Sequence, residues 1–181
     1  MDKKNWNRRE LLKSLGLVAA TGPLTAGMPA EKEFTHELAP LILNRDKKPG
    51  KPVTAIVIGA GSRGWGAYSS YGLKYPDELQ VVGVAEPIPY RRERMAKAFN
   101  IPEKHQFVTW EHVFELPKFA DALIVTTPDD LHYGPAMAGL EQGYDMILEK
   151  VIAQSWKECN DILKLAVDKN AIVAVCHVLR Y

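Results

Sequence analysis

The sequence predicts an α/β fold in which a doubly wound parallel sheet carries helices on both faces. Three observations predict it: short apolar runs alternate with helical segments, the connections between them are short, and a glycine-rich loop directly follows the first apolar run. The runs are continuous rather than alternating, which is typical of parallel strands buried on both faces. A chain of 181 residues is long enough for one such domain.

Six segments have the composition of strands. The first is an uninterrupted, largely β-branched run, and the fourth has Ala-Leu-Ile-Val at its centre. The third is a pair of residues only. We predict strands at 53–58, 79–85, 107–108, 121–126, 145–148 and 172–176.

Helices are predicted between these strands from their start and stop signals. Pro87 and Pro89 lead into the second helix, and Gly143 ends the fourth. Ser155 and Glu158 form a capping box at the start of the fifth. We predict helices from the glycine loop to about residue 74, and at 90–99, 109–116 (short), 132–142 and 156–170.

Composition excludes several classes of function. The formal charge is +1, and the first thirty residues hold more basic than acidic side chains, so the remainder is close to neutral. A near-neutral body argues against a nucleic-acid partner, which requires a dense basic face. Two cysteines cannot form a disulfide framework, and no apolar run reaches the length of a membrane span. The histidines have no metal-ligand spacing, so we predict no metal site.

Residues 1–30 resemble an export signal. A charged segment precedes a short, mildly apolar stretch, and the pair Arg8-Arg9 followed by Leu11-Leu12-Lys13 resembles a twin-arginine leader. The usual pattern has Ser or Thr before the pair and Phe at position 11. The resemblance implies export to the periplasm; the alternative is an amphipathic N-terminal helix.

Residues 31–52 are predicted to be a polar arm or linker with several prolines. Its apolar patch Leu41-Ile42-Leu43 could dock on the body or on a neighbouring subunit of a homo-oligomer. The folded domain is predicted at 53–177.

A G-x-G-x-x-G motif occupies 59–64, directly after a strand and directly before a helix. This context is the one in which the motif binds a dinucleotide. Gly59 permits the tight turn, Gly61 lets the backbone approach a pyrophosphate, and Gly64 lets the helix pack on the strand. The helix N-terminus favours phosphate groups. We therefore predict a Rossmann domain that binds NAD(P) through the loop residues Gly59, Gly61, Ser62, Arg63 and Gly64.

Glu86 ends the second strand, about twenty residues after the loop. A carboxylate there can accept hydrogen bonds from ribose hydroxyls and would repel a 2′-phosphate, so it favours NAD. NADP also stays possible as the cofactor, because a phosphate could be reached by Arg63, Arg91 or Arg92. The alternative for Glu86 is a solvated acid at a strand end.

Three further segments carry a family resemblance. The segment 121–132 is similar to D-x-V-x-I-x-T-P-N-x-x-H, 143–150 is similar to G-K-x-V-x-x-E-K-P, and 176–181 is similar to the link into a second domain. With the glycine loop, they resemble the Gfo/Idh/MocA oxidoreductases over 53–181. The chain departs from the pattern at Asp129, where Asn is usual, and at Val151, where Pro is usual.

The resemblance implies roles for the matching residues. Thr127 and Pro128 would pass under the dinucleotide, with His132 opening the helix behind them; the alternative for His132 is a helix cap. Glu149 and Lys150 would form the E-K pair of the family. Lys150 would lie beside the nicotinamide and the reacting hydroxyl, where a cation stabilises a developing alkoxide or assists proton transfer. The alternative for Lys150 is an ordinary strand-end lysine.

The resemblance also implies a second, substrate-binding domain, of which 178–181 would be the start. We therefore expect the chain to be a cofactor-binding half that turns over nothing alone, with a parent that transfers hydride at a sugar or polyol hydroxyl. One rival is an exported glycosidase that uses NAD as an internal redox relay. The other is a non-catalytic dinucleotide-binding module.

Trp110 and Trp156 are interpreted as packing residues away from the cleft.

Overall fold

The structure is a computed structural model that describes residues 50–177. Six strands in this range form one sheet in which every neighbouring pair is parallel. The strands are β1 (Val53–Ile58), β2 (Leu79–Ala85), β3 (Gln106–Phe107), β4 (Ala122–Val125), β5 (Asp145–Glu149) and β6 (Val173–Cys176). Their order across the sheet is β3-β2-β1-β4-β5-β6, so the direction of strand succession reverses between β1 and β4.

Four α-helices and several shorter turns connect the strands. The helices are α1 (Ser70–Lys74), α2 (Pro89–Phe99), α3 (Tyr133–Glu141) and α4 (Trp156–Asp168). A π-helical segment, Arg63–Ser69, precedes α1, and 3₁₀ turns lie at Glu103–His105, Glu111–Val113 and Asp129–Leu131. This arrangement confirms the predicted Rossmann-like α/β fold.

Each face of the sheet has its own apolar core. Ala55 and Val57 of β1 belong to the cluster that contains Met95 of α2, while Ile56 belongs to the cluster that contains Leu140 of α3. All four of the buried side chains that β1 contributes, Ala55 to Ile58, are almost fully excluded from solvent. Burial of an aliphatic side chain contributes about 1.5–3 kcal/mol. Because successive side chains of β1 enter the two cores in turn, every one of these positions is apolar.

The helix after the glycine loop begins differently from the prediction, because its first turns are π-helical. The Ser69 hydroxyl donates to the Gly64 carbonyl at 2.6 Å, and the Ser70 hydroxyl donates to the Gly66 carbonyl at 2.6 Å. Serine hydroxyls that bond back to a preceding turn compete with the backbone ladder and distort it. The helix predicted at 109–116 is wrong in extent, since the structure has a single 3₁₀ turn there, Glu111–Val113. Such short helices are marginal unless packing supports them, and Val113 is the buried residue of this turn.

The capping box at the start of α4 is confirmed. The Ser155 side chain accepts a hydrogen bond from the Glu158 amide at 3.2 Å, and the Glu158 carboxylate accepts one from the Ser155 amide at 3.0 Å.

The predicted leader at 1–30, the arm up to residue 49 and the segment 178–181 lie outside the described residues. Among the helices of residues 50–177, none combines the length and hydrophobicity needed to cross a membrane.

Candidate functional site

A cleft of about 730 Å³ lies outside the carboxyl ends of β1, β2 and β4. This is the point where the strand order reverses, and open α/β sheets bind their ligands at such a point. The cleft is lined by seven residues that the sequence predicted to bind cofactor: Gly59, Gly61, Ser62, Arg63, Glu86, Thr127 and Pro128.

The three motif glycines have three different surroundings. Gly59 has φ +94°, and a Cβ there would lie 2.7 Å from the Thr126 carbonyl oxygen. A Cβ on Gly64 would overlap the Gly59 carbonyl oxygen and lie 2.7 Å from the Thr126 hydroxyl. On Gly61 the nearest atom would be Nη1 of Arg91, at 3.9 Å. Gly59 and Gly64 are therefore required by the fold, whereas Gly61 keeps open a space that lines the cleft.

Ser62 lies at the start of the helical segment and is exposed. Its hydroxyl makes no capping hydrogen bond to the segment. The Trp65 amide donates to the Gly61 carbonyl at 2.9 Å, so the helical hydrogen bonding begins within the motif. The Ser62 side chain is thus placed at the cleft without a structural task in the helix.

Glu86 is buried, with 3% of its surface exposed, although it lines the cleft. Its carboxylate accepts hydrogen bonds from the Ala60 amide at 2.7 Å and from the Ile88 amide at 3.0 Å. Nη1 of Arg92 donates to the Glu86 carbonyl at 2.6 Å. Glu86 is therefore not a solvated strand-end acid. It ties the glycine loop to the start of α2, and its carboxylate oxygens retain lone pairs for a further donor.

His132 is fully buried, so its side chain lies beneath the loop rather than in the cleft. Its Nε2 is 3.0 Å from the Thr127 carbonyl oxygen, and its Nδ1 is 2.5 Å from the Val151 carbonyl oxygen. The side chain makes no capping hydrogen bond to α3. His132 thus stands at the N-cap of α3, as predicted, while its side chain links two loops, one after β4 and one after β5.

Glu149 is also buried, with 5% exposure, at the end of β5. It accepts hydrogen bonds from Nε of Arg63 at 2.6 Å, from the Tyr68 hydroxyl at 2.8 Å and from the Lys150 amide at 3.2 Å. Burial alone would raise the pKa of Glu149, but the hydrogen bonds from Tyr68 and Arg63 outweigh it and lower the pKa below its ordinary value. Burial of the Tyr68 hydroxyl raises its pKa far above the range of ordinary tyrosines, and hydrogen bonding with Cys176 and Glu149 acts in the same direction. Glu149 is therefore a carboxylate held in its charged form.

Lys150 is exposed, and its Nζ lies 3.7 Å from Oδ1 of Asp129, which is also exposed. Ion pairs between exposed groups contribute about 0–1 kcal/mol, so this one holds Lys150 weakly. The peptide bond between Lys150 and Val151 is cis. Lys150 borders a second cavity of about 320 Å³, whose walls are Arg63, Thr126, Thr127, Asp129, Glu149 and Lys150.

The interpretation of the two tryptophans is wrong in part: Trp110 is a packing residue but lies at the cleft, and Trp156 lies away from the cleft but is not a packing residue. Trp110 lines the cleft, because the turn after β3 brings it against α3, where it packs on Gly134. Trp156 is 82% exposed and packs on little. The position of Trp110 could have been inferred from its place three residues after a strand, since loops at the carboxyl ends of parallel strands meet at one edge of the sheet.

The residues present fit a dinucleotide of the NAD type. The loop backbone at Gly61 faces open space that a side chain would fill, and the cleft also has apolar walls, among them Ile88, Val108 and Leu131. Such walls suit the flat faces of an adenine base. Within residues 50–177, no group of three His, Cys, Asp or Glu side chains is placed to hold a metal ion.

Comparison with known proteins gives a family match. The model of the Gfo/Idh/MocA family, described as "Oxidoreductase family, NAD-binding Rossmann fold", matches residues 53–177. A curated relative from Mediterraneibacter gnavus, 2,7-anhydro-N-acetylneuraminate hydratase, is 31% identical over 61 residues, which are 34% of this chain and 16% of the relative.

Two solved structures illustrate the similarity of fold. An inositol dehydrogenase homolog from Azotobacter vinelandii, complexed with NADH and myo-inositol, has a TM-score of 0.59 and 20% identity, over 71% of this chain and 36% of that one. The WlbA dehydrogenase from Bordetella pertussis, in complex with NADH and UDP-GlcNAcA, has a TM-score of 0.61 and 18% identity, over 70% of this chain and 37% of that one. The chain thus spans about a third of these structures and a sixth of the curated relative.

Proposed function

The chain belongs to the Gfo/Idh/MocA oxidoreductase family and carries its NAD-binding Rossmann fold, and we propose that it is the cofactor-binding part of an enzyme that oxidises or reduces a sugar or polyol hydroxyl. The observation that carries this proposal is the cleft at the strand reversal, with an open glycine backbone in its wall and Lys150 on an adjoining cavity that shares Arg63, Thr126 and Thr127 with it. NAD, when bound, would accept or donate the hydride.

Different residues of the chain would contact different parts of the dinucleotide and of the substrate. The loop backbone at Gly61 and the side chain of Ser62 would bind the diphosphate, and Glu86 would accept hydrogen bonds from the adenosine ribose. Thr127 and Pro128 would lie under the dinucleotide. Lys150 would stabilise the developing alkoxide of the substrate, because a cation at that point offsets its negative charge. Substrate selection would fall to a second domain of the kind that the family resemblance implies.

The proposal is tested by calorimetric titration of the 181-residue chain with NAD and with NADP. We expect NAD to bind, NADP to bind more weakly, and no sugar-dependent NADH to form, because enclosure of the nicotinamide would fall to the second domain that the family resemblance implies. Substrate-dependent NADH formation by the chain alone would contradict the assignment of a cofactor-binding half. Absence of binding to either dinucleotide would contradict the proposed function itself.

A second candidate function is a redox-neutral lyase or glycosidase that uses NAD as an internal relay. The curated relative from Mediterraneibacter gnavus is named a hydratase, a class whose net reaction adds or removes water without net oxidation. In such a cycle a hydroxyl is oxidised, a leaving group is eliminated, water is added, and the hydride returns, so NAD is unchanged. Aryl glycoside hydrolysis without free NADH, by a protein that includes a substrate domain, would favour this candidate. Binding of NAD without any turnover would favour a non-catalytic module.

We further propose that the protein is exported in the folded state through Arg8-Arg9, with NAD already bound. The cleft exists only after folding, and NAD is made in the cytoplasm. A cofactor trapped in this way would have to be regenerated within each catalytic cycle, which favours the redox-neutral candidate. The experiment is to purify the protein from the periplasm, denature it and assay the released NAD. Near-stoichiometric NAD supports the proposal, whereas an empty site, or export that survives Arg8→Lys with Arg9→Lys, contradicts it.

A further inference from the structure

Arg63 is the charged side chain that the two cavities of the site share, beside Thr126 and Thr127. It lines the large cleft beside the glycine loop and also the smaller cavity that Lys150 borders. Its Nε donates to Oε1 of Glu149 at 2.6 Å, and its Nη2 donates to Sγ of Cys176 at 3.3 Å. A single side chain therefore spans from the loop after β1 to the ends of β5 and β6.

The contacts leave the guanidinium able to bind a further anion. A guanidinium has five N–H donors in a planar fork. Nε and Nη2 of Arg63 both lie 2.6 Å from Oε1 of Glu149, and Nη2 also donates to Cys176, so these contacts leave the N–H groups of Nη1. The side chain of Arg63 is 43% exposed, whereas that of Glu149 is 6% exposed. The remaining donors are thus available to a phosphate oxygen in the cleft while the bond to Glu149 persists.

Glu149 contacts both Arg63 and Lys150, and so connects them. One carboxylate oxygen faces Arg63 and Tyr68, and the other accepts the backbone N–H of Lys150 at 3.2 Å. Among the described residues, the side chain of Lys150 has only the weak, exposed ion pair with Asp129 to hold it. The hydrogen bond from the Lys150 amide to the buried Glu149 carboxylate is therefore the stronger constraint on the position of Lys150.

We propose that Arg63 is a positioning residue that links the dinucleotide cleft to Lys150, by binding the cofactor diphosphate with its outer donors while its Nε holds Glu149. This inference rests on the proposed function, because it takes the ligand of the cleft to be a dinucleotide. It has a reciprocal consequence: if the diphosphate steadies Arg63 and Glu149, then Glu149 must in turn strengthen diphosphate binding. Glu149 should do so although it is buried away from the cleft.

The first experiment is a double-mutant cycle on NAD affinity, measured by calorimetry on the 181-residue chain. The variants are Glu149→Gln, Arg63→Ala and the double variant. We expect Glu149→Gln to weaken NAD binding roughly fivefold or more in the wild-type background and to have no further effect in the Arg63→Ala background. Arg91→Ala is the matched control, because it removes a cleft arginine that does not contact Glu149. Additive losses from Glu149→Gln and Arg63→Ala would overturn the proposal.

The second experiment follows Lys150 itself, through the rate at which its amine is acylated, read by peptide mass spectrometry as a function of pH. In the wild type, saturating NAD should change this rate, and the change should disappear in Arg63→Ala but persist in Arg91→Ala. Persistence of the change in Arg63→Ala would overturn the link. Circular dichroism would check the folding of each variant, and Arg63→Lys, which keeps a cation beside Glu149, replaces Arg63→Ala if the latter unfolds.

The two experiments separate this inference from the function on which it rests. If the wild type binds no NAD, the proposed function fails. The acylation rate without ligand still tests the structural link, since Arg63→Ala and Glu149→Gln should then change the reactivity of Lys150 to the same extent. Unchanged reactivity in both variants would overturn the link from Arg63 to Lys150.

Discussion

Replacing Glu86 by serine should have two separable effects, one on the glycine loop and one on the choice of cofactor. The carboxylate holds the Ala60 and Ile88 amides at 2.7 and 3.0 Å, and a serine side chain is too short to reach both. The same substitution removes the negative charge that would repel the 2′-phosphate of NADP. The loop effect follows from contacts in the structure, and the cofactor effect follows from the proposed function.

The magnitudes can be worked from these two contacts. A hydrogen bond to a charged group contributes about 1.5–3 kcal/mol, so loss of both costs up to about 3–6 kcal/mol of unfolding free energy. Small domains have only about 5–15 kcal/mol in total, so the longer Glu86→Gln variant, which keeps one acceptor, is needed as a companion. Lost ribose hydrogen bonds should weaken NAD binding by about 1.5–3 kcal/mol, or roughly tenfold to a hundredfold.

The assay is calorimetric titration with NAD and NADP, combined with urea unfolding. We expect Glu86→Ser to bind NAD more weakly and to shift the affinity ratio toward NADP. Glu111→Gln is the matched control, because Glu111 is an exposed carboxylate on the wall of the same cleft and should leave the ratio unchanged. If folded Glu86→Ser binds NAD as tightly as the wild type, Glu86 is not a ribose ligand and serves the loop alone.

Three further predictions concern the loop, the lysine and acid stability. Gly64→Ala should cost about 1–3 kcal/mol in urea unfolding because its Cβ overlaps backbone, whereas Gly66→Ala, where a Cβ meets nothing within 4 Å, should not destabilise the protein. In a protein that includes a substrate domain, Lys150→Ala should lower kcat by roughly 10²–10⁴ and leave NAD affinity nearly unchanged; a kcat close to wild type would make Lys150 structural. Hydrogen bonds from the side chain and amide of Thr54 lower the pKa of Asp121 below its ordinary 3.8, so this carboxylate stabilises the fold above that pH and stops doing so as pH falls through the lowered pKa. Urea unfolding between neutral pH and about pH 2 should show a shallower loss of stability in Asp121→Asn, and an unaltered slope would contradict it.

The sequence predicted the fold and the position of the cleft because both depend on local signals. The run 53–58 predicts a buried strand, and the motif at 59–64 predicts a tight turn. Neither prediction depends on a residue far away in the sequence. The structure places them as predicted, with Gly59 at a positive φ. What local patterns report well is which backbone conformation a segment takes and which face it buries.

The contacts within the site could not be predicted in the same way. Arg63 and Glu149 are 86 residues apart in sequence, and Arg63 and Cys176 are 113 residues apart. No periodicity encodes such a pair. The topology of a parallel sheet brings the ends of β1, β5 and β6 to one edge, which indicates neighbours but not partners. The partner is decided by side-chain length and by the need of buried Glu149 for donors.

Three side chains with acid–base character, each predicted to bind the cofactor, are buried and hold loops together. Glu86 joins the glycine loop to α2, His132 joins the loops after β4 and β5, and Glu149 joins the glycine loop to the end of β5. Each fixes a connection by hydrogen bonds before any ligand arrives. Ordering a loop on binding costs free energy, so loops already ordered leave more of the contact energy for affinity. The chemistry of these side chains is therefore directed first at the shape of the cleft. In the proposed function, Glu86 in addition accepts hydrogen bonds from the ribose, while Gly61, Ser62 and Arg63 contact the diphosphate.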